Sequence, residues 1–307
     1  MSKSQSLLWI SHSYFLREVE IEAFLVNLAP LRVGAGREPP LESSVDLAVL
    51  RIPIGGKSVP YIPGSSLKGV FRSVSIQISR MKGLQVCNGL PRDTCMDYKF
   101  TDLGDETLLK HVQELLKEGD KVGALKIFNE KACLMCKIFG APSFSSHVEF
   151  SDAYPVNDKG EVVEVPVGVR TGVAINRRTG AAQHRALYEV EYVEPGARFR
   201  FKLKSTNLPN YALGVLAKTL RMLDEGLVRI GGFKTRGFGL VKIENPVFLA
   251  RGLTVKENKL LPVEEGDIEV DLSGLATTAG GWLRAENESA WKVLERLESV
   301  WDSWRKP

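Results

Sequence analysis

The spacing of apolar residues along this chain changes between a period of two and a period of about 3.6, and this change constrains the fold most. In VEIEAFLVNL, residues 19–28, Val19, Ile21 and Leu25 lie on one face and glutamates on the other, which predicts a half-buried strand. Residues 197–205, ARFRFKLKS, alternate an apolar face with a basic one. Apolar residues at three- and four-residue steps predict helices over 65–81, with Ser65 as the N-cap, and over about 209–226.

The order of these strands and helices predicts an α+β fold made of one or two ferredoxin-like, RRM-like units with insertions. Residues 1–82 and 141–250 would form this unit, with a Gly- and Pro-rich loop over 28–44 and a protruding hairpin over about 165–190. Residues 83–140 are interpreted as a cysteine-rich insertion, and residues 251–307 as a C-terminal extension with an amphipathic helix. Four of the five tryptophans follow residue 281. They favour packing of that helix on the domain over docking of a partner, and both interpretations stay open.

The composition of the 307 residues permits an anionic partner without requiring one, since the net charge is only +4. No apolar run reaches the roughly 18 residues that a membrane span needs. The N-terminal residues lack the pattern of a signal peptide, so a cytoplasmic protein without a membrane partner is expected.

The stretch PGSSLKGVFR, residues 63–72, combines a helix start with hydroxyl and basic side chains. It lacks the spacing of a nucleotide-binding P-loop, so a nucleoside triphosphate is not the expected ligand. The N–H groups of a helix N-terminus bind anions, and an RNA backbone offers a row of them. The pattern is equally typical of a capped helix with a solvated basic face. That polar face would carry Lys68, Arg72, Ser75 and Ser79, opposite an apolar face that ends at Met81.

A second glycine-rich stretch, GGFKTRGFG at residues 231–239, adds Lys234 and Arg236. Its glycines would let the backbone approach a phosphate chain closely. Residues 166–205 hold eight lysines and arginines against three glutamates, on segments with strand and hairpin patterns. Basic residues on a sheet with aromatic residues nearby indicate nucleic-acid binding.

PGSSLKGVFR followed far downstream by GGFKTRGFGLV resembles the RAMP superfamily of type III CRISPR effectors, specifically the repeated backbone subunits of the Csm and Cmr complexes. The similarity covers roughly residues 19–248. It implies a ferredoxin-like palm, a thumb hairpin from Arg170 to Arg185, and a helical filament of copies of the chain and other RAMP subunits. The filament would follow a guide crRNA and its complementary target RNA. The expected RNA-binding residues are Ser65, Ser66, Lys68, Arg72, Arg170, Arg177, Arg178, Gly231, Gly232, Lys234, Arg236 and Gly237.

The resemblance also implies a catalytic residue. In that family, an aspartate in the loop between the first strand and the PGSS helix cuts the bound target RNA with a divalent metal. Asp46 stands at the matching position, and Glu42 and Asp152 are less favoured. A carboxylate there could hold Mg²⁺ or Mn²⁺ and stabilise charge on the phosphate, which would make the protein a metal-dependent endoribonuclease.

All four cysteines, Cys87, Cys95, Cys133 and Cys136, fall inside the predicted insertion. The last two form a C-x-x-C pair, the spacing of a zinc knuckle, which predicts a structural Zn²⁺ site with four thiolate ligands. His111 could replace one thiolate. The alternative is four unrelated buried thiols.

Three other functions remain possible from the sequence. The chain could be an RNA-binding scaffold that does not cut, or a zinc-stabilised module that binds proteins. It could also process guide precursors, which commonly requires a histidine, tyrosine or lysine for acid–base work. His12, His147 and His184 are scattered, and none forms a His–Tyr pair beside the glycine-rich turn.

Overall fold

A computed structural model describes residues 7–34, 45–175, 178 and 182–305. Its helices are α1 (Gly64–Met81), α2 (Leu108–Lys117), α3 (Lys121–Lys131), α4 (Leu134–Phe139), α5 (Asn210–Asp224) and α6 (Asn287–Ser303). Its strands are β1 (Arg17–Asn27), β2 (Arg51–Ile54), β3 (Lys57–Pro60), β4 (Lys99–Phe100), β5 (Glu106–Thr107), β6 (Val148–Phe150), β7 (Tyr154–Pro155), β8 (Val167–Ile175), β9 (Ala182–Val193), β10 (Arg198–Thr206), β11 (Val241–Gly252), β12 (Val255–Lys256), β13 (Lys259–Leu260), β14 (Val270–Asp271), β15 (Thr277–Ala279) and β16 (Trp282–Glu286).

The main sheet is antiparallel and has the order β15-β16-β11-β1-β10-β6, with β7 also pairing with β10. Its centre is β1, whose period-two pattern buries Val19, Ile21 and Leu25 as the sequence predicts. Helices α1 and α5 cover that apolar face. Phe71 of α1 lies with its ring centroid 4.9 Å from that of Phe150 and 6.0 Å from that of Phe201. The structure is thus a mixed α/β fold around one antiparallel sheet.

The other face of this sheet carries alternating charges rather than the basic surface expected on β10. Lys202 lies 2.5 Å from a carboxylate oxygen of Glu20 and 3.3 Å from one of Glu22. Lys204 lies 3.3 Å from Glu18. Because β1 pairs with β10, Glu22 stands opposite Lys202 and Glu20 opposite Lys204, and opposite charges there attract. The basic residues of β10 do share one face, but the two lysines are paired with carboxylates of β1.

Helix α1 buries part of its predicted polar side as well as its apolar face, whereas an amphipathic surface helix would bury only the apolar face. Ser75 and Ser79, predicted on its polar side, are fully buried. The hydroxyl of Ser75 lies 3.4 Å from that of Thr219, and the hydroxyl of Ser79 lies 4.0 Å from the sulfur of Met135. Met81, predicted on the apolar side, is 86% exposed at the end of the helix. The difference arises because α5 and α4 pack on flanks of α1 that a single helix pattern cannot distinguish from solvent.

The insertion and the C-terminal extension both share the core of the central sheet. Phe128 of α3 stacks on Phe144 at 3.6 Å between ring centroids, which ties the insertion to the chain that leads into β6. Strands β15 and β16 lengthen the sheet beyond β11. Helix α6 packs on α5 and buries Trp301 and Trp304 to 2% and 6% exposure. The prediction that this helix packs on the domain is confirmed, and these two tryptophans are not free to dock a partner.

Gly214→Ala is expected to destabilise the fold because α5 and α6 approach closely at this glycine. A Cβ atom there would lie 2.2 Å from the carbonyl oxygen of Leu297 and 2.8 Å from Cβ of Trp301. Overpacking of this kind costs about 1–3 kcal/mol of unfolding free energy. Urea denaturation measures it. Gly69→Ala in α1 is the matched control, since its Cβ would meet nothing within 4 Å, and an equal loss in both variants would contradict the explanation.

Candidate nucleic-acid interface and metal centre

The two glycine-containing stretches singled out in the sequence meet at one open groove of about 490 Å³. One wall is the start of α1 and the other is the turn before β11. The segment that follows β1 lines the groove between these two walls. The lining residues are Arg32, Val33, Gly34, Ser66, Gly69, Val70, Ser73, Gly231, Gly232 and Lys234. Of the predicted RNA-binding residues, the structure therefore brings together Ser66, Gly231, Gly232 and Lys234.

The start of α1 is capped differently from the sequence prediction. Ser65 is the second residue of the helix and is exposed, so the prediction of a Ser65 N-cap is wrong. The backbone N–H of Gly64 instead donates to Oδ1 of Asp152 at 2.7 Å. Gly64 is needed because a Cβ there would lie 2.1 Å from the carbonyl oxygen of Phe150. A carboxylate already interacts with this helix end, so an anion would be bound by the groove side chains and not by the terminal N–H groups.

The glycines of the second stretch serve the protein's own backbone. Gly231 has a φ of 79°, and a Cβ there would lie 2.2 Å from the carbonyl oxygen of Arg32. The neighbouring Gly232 N–H donates to that same oxygen at 2.8 Å. The turn is thereby fixed against the segment after β1. Gly237 also has a positive φ, 90°, but in open space.

Arg32 is a groove residue that the sequence analysis missed. Its Nε and Nη2 donate to the carbonyl oxygens of Leu47 and Ala48 at 3.2 Å and 3.4 Å, and its guanidinium lies 5.7 Å from the ring centroid of Phe233. Burial lowers the pKa of Arg32, while the nearby carboxylate of Glu191 acts to raise it. Its two carbonyl partners directly follow Asp46, so Arg32 links the groove to that segment. The available signal was an arginine in the loop that follows the first predicted strand.

Asp46 is exposed and is held against the predicted thumb hairpin. Its Oδ2 accepts a hydrogen bond from the backbone N–H of Glu189 in β9 at 2.8 Å. The next residue, Leu47, donates to the carbonyl of Glu189 at 3.0 Å and accepts from the N–H of Glu191 at 3.0 Å. The segment thus lies beside β9 like a short parallel strand. Glu42 lies outside the described residues, and Asp152 is occupied at the start of α1.

Glu191 fixes the chain just beyond Asp46. Its carboxylate accepts from the Val49 N–H at 2.9 Å and from both terminal nitrogens of Arg51, at 2.7 Å and 2.6 Å. Burial would raise the pKa of Glu191, but the Arg51 guanidinium and the Val49 N–H hold it below its usual range. A bidentate pair of this kind sets orientation as well as adding attraction.

Strands β8 and β9 form the predicted hairpin, and its base carries an arginine on aromatic rings. The guanidinium of Arg170 lies 5.8 Å from the ring centroid of Tyr192 and 5.2 Å from that of Phe238. The Tyr192 ring covers Gly168 across the strands, where a Cβ would lie 2.7 Å from the ring. Arg170 therefore holds the hairpin against the glycine-rich turn.

Arg236 makes a second connection between the same two elements. Its Nη1 donates to the hydroxyl of Tyr188 in β9, and its guanidinium lies 5.1 Å from the ring centroid of Phe233. Arg178 is exposed near the hairpin tip, and Arg177 lies outside the described residues.

The four cysteines form one buried cluster, and their sulfurs all lie within 4.8 Å of one another. The Cys87 sulfur is 3.7 Å from that of Cys133 and 3.3 Å from that of Cys136. Zn–S bonds of about 2.3 Å in a tetrahedron place sulfurs about 3.8 Å apart, so the four thiols fit a zinc ion. Among the residues described, this is the one group of three or more candidate ligands, and His111 is not in it.

Hydrogen bonds among the four thiols shift their pKa values in opposite directions. Hydrogen bonds from the thiols of Cys136, Cys87 and Cys95 strongly lower the pKa of Cys133. Contact with Cys133 would raise the pKa of Cys87, but the bonds from Cys136 and Cys95 outweigh it and lower this pKa to about 6. Contact with Cys133 raises the pKa of Cys95 and of Cys136, so these two thiols must release their protons when zinc binds, because thiolates are the form that binds zinc. Four protein ligands would close the coordination sphere, which is typical of a structural zinc.

Lys68 and Arg72, the predicted cationic pair of α1, point to different surroundings. Lys68 is half-buried, and burial followed by the charge of Arg72 lowers its pKa, while Glu149 acts to raise it. Arg72 donates from Nη1 to the carbonyl of Gly140 at 3.3 Å and from Nη2 to the sulfur of Cys136 at 3.9 Å. Neither residue lines the groove that Ser66 lines.

The histidines whose side chains the structure describes offer no acid–base pair at the groove. His147 is buried and stacks on His12 with ring centroids 4.2 Å apart. Its ring nitrogens lie 3.0 Å and 3.2 Å from the carbonyl oxygens of Thr206 and Ile10. Burial and then the charge of His12 lower the pKa of His147 to about 4.

Comparison with known proteins supplies the family. No helix in the described part of the chain is long and apolar enough to cross a membrane. No curated protein matches the sequence. The family model of the RAMP superfamily matches residues 25–242, which include the groove, the Asp46 segment, the hairpin and the cysteine cluster. The chain belongs to the RAMP superfamily, whose proteins are CRISPR-associated and work in complexes with RNA and other subunits.

Proposed function

We propose that this protein is a guide-binding backbone subunit of a type III CRISPR ribonucleoprotein complex of the Csm or Cmr kind. The carrying observation is the groove in which Arg32, Ser66 and Lys234 meet within the family-matched region. An exposed lysine and a half-buried hydroxyl, together with the positive charge of the buried Arg32, suit the phosphates of a crRNA, which position an RNA without reading its sequence. The partners would be the crRNA, its complementary target RNA, further copies of this chain and other RAMP subunits.

The order of elements supports a ferredoxin-like palm for this role. The elements β1, α1, β6, β10, α5 and β11 follow one another in the chain as β-α-β-β-α-β. Across the sheet these four strands lie in the order β11-β1-β10-β6. If the strands of the unit are numbered along the chain, this order is four, one, three, two. The charged ladder between β1 and β10 covers the sheet face that an RRM-like protein would offer to RNA. The groove is therefore the better candidate for the guide.

The same proposal assigns target RNA cleavage to Asp46 with Mg²⁺ or Mn²⁺. Its exposure and its anchorage on β9 support this assignment, because one carboxylate oxygen is fixed by the backbone while the group stays accessible. A divalent ion bound there would stabilise charge on the phosphate that is cut. A scaffold without cleavage is the second candidate. It is favoured by the lack, among the residues described, of three clustered candidate ligands at Asp46.

Lys234→Ala is expected to weaken binding of single-stranded RNA to the full chain, and to reduce the salt dependence of binding by about one phosphate contact. Lys234 lines the groove and is exposed. Filter binding or fluorescence anisotropy over a series of salt concentrations measures both quantities. Lys202→Ala is the matched control, because Lys202 already pairs with Glu20 and Glu22. Equal weakening in both variants, or none in Lys234→Ala, would contradict the groove assignment.

A further inference from the structure

We propose that Arg72 balances the charge of the zinc–thiolate cluster and positions it on α1, and that it does not contact the guide RNA. This role does not depend on which RNA the protein binds. It reverses the interpretation of Arg72 as half of a basic pair, which spacing along the helix alone suggested.

The need for a cation follows from the cluster itself. A zinc ion with four thiolates carries a net charge of −2, and all four cysteines here are buried. A buried charge without a partner is strongly unfavourable. Groups that donate to the ligands from outside the coordination sphere stabilise such sites and orient the ligands.

Arg72 is placed to supply that charge. Its Nη2 donates to the Cys136 sulfur at 3.9 Å, and its Nη1 anchors the same guanidinium on the carbonyl oxygen of Gly140 at 3.3 Å. Its Nε is buried and has no hydrogen-bond partner among the residues that the structure describes. The two terminal nitrogens of this guanidinium are directed at Gly140 and Cys136, and Arg72 does not line the groove that Ser66 and Lys234 line.

The loop that leads to the cluster is shaped around this side chain. Gly89 follows Cys87 by two residues and has a φ of 68°. A Cβ there would lie 2.3 Å from both Nε and Cζ of Arg72. The positive φ favours glycine at this position, and the short distances show that the loop packs directly against the guanidinium of Arg72.

The test compares zinc release from zinc-loaded full-length protein in wild type, Arg72→Met, Arg72→Lys and Lys68→Met. Excess chelator with a zinc-sensitive dye gives the release rate. Loss of an outer partner typically costs 10–100-fold in metal affinity, so release from Arg72→Met is expected to be about 10-fold faster. Arg72→Lys should fall between, since it keeps the charge but not the fork of donors. Lys68→Met removes a cation one turn away that does not touch a thiolate, and should match wild type.

A second variant keeps the inference falsifiable if Arg72→Met does not fold. Gly89→Ala leaves the arginine in place but displaces its guanidinium, and should also release zinc faster. Wild-type release rates in Arg72→Met or Gly89→Ala would overturn the inference. So would weaker RNA binding by zinc-loaded Arg72→Met at an unchanged release rate. Failure of the RNA-binding proposal is separately visible, because Lys234→Ala tests it and leaves the cluster untouched.

Discussion

Replacing Asp46 by asparagine is expected to abolish target RNA cleavage by the assembled complex while leaving guide and target binding unchanged. Asparagine keeps the shape and an oxygen that can accept the Glu189 N–H bond, so the segment beside β9 should stay in place. It removes the negative charge that would hold Mg²⁺ or Mn²⁺. Loss of one preorganised electrostatic group costs about 100-fold or more in rate. The measurement is single-turnover cleavage of labelled target RNA, with binding followed in parallel.

Asp152→Asn is the matched control for this experiment. Asp152 is also a carboxylate, but its Oδ1 accepts the Gly64 N–H at the start of α1. Its replacement should lower the stability of the fold and leave the cleavage rate of folded complex near that of wild type. Cleavage at the wild-type rate by Asp46→Asn would remove Asp46 from the reaction. A wild-type complex that binds target without cutting it in Mg²⁺ or Mn²⁺ would favour the scaffold function.

Local periodicity predicted the central elements of the fold because they depend on local burial. The alternation in β1 and β10 and the apolar spacing in α1 and α5 correspond to the strands and helices of the structure. The errors arise where a distant segment covers a residue. Ser75 and Ser79 are buried because Thr219 and Met135 lie against them. A helix pattern does not reveal such neighbours.

Charge counted along the chain misled more than periodicity did. The basic residues of β10 suggested an RNA surface, but Lys202 and Lys204 pair with glutamates of β1, more than 170 residues earlier in the chain. Arg72 is similar, since its spacing from Lys68 suggested a cationic pair and its actual neighbour is Cys136. Arg32 shows the opposite error, because a residue without a charge pattern in the sequence lies in the groove. It lies in a predicted loop, and only the packing of the turn at Gly231 places it in the groove.

Removal of zinc is expected to destabilise the whole protein, because the insertion that holds the cluster shares the core of the central sheet. Zinc at 1,000 times its dissociation constant stabilises the folded state by about 4 kcal/mol. In a protein of this size, that corresponds to a loss of roughly 10 °C in melting temperature on chelation. Protons compete for the thiolates, so acid should have the same effect as chelator. Calorimetry with and without chelator, and zinc content against pH, measure these effects.

Cys133→Ser and His111→Ala test which residues bind the zinc ion. Cys133 is a member of the cluster and His111 is not, so the serine variant should lose zinc and melt like the chelated protein. The alanine variant should keep a single zinc ion per chain. The physical reason is that a three-thiolate site leaves a buried metal without its fourth ligand, whereas His111 lies in α2 outside the cluster. Zinc content unaffected by Cys133→Ser, or lost in His111→Ala, would contradict the tetrathiolate site. Four cysteines that hold no zinc in the wild-type protein would reduce the cluster to buried thiols.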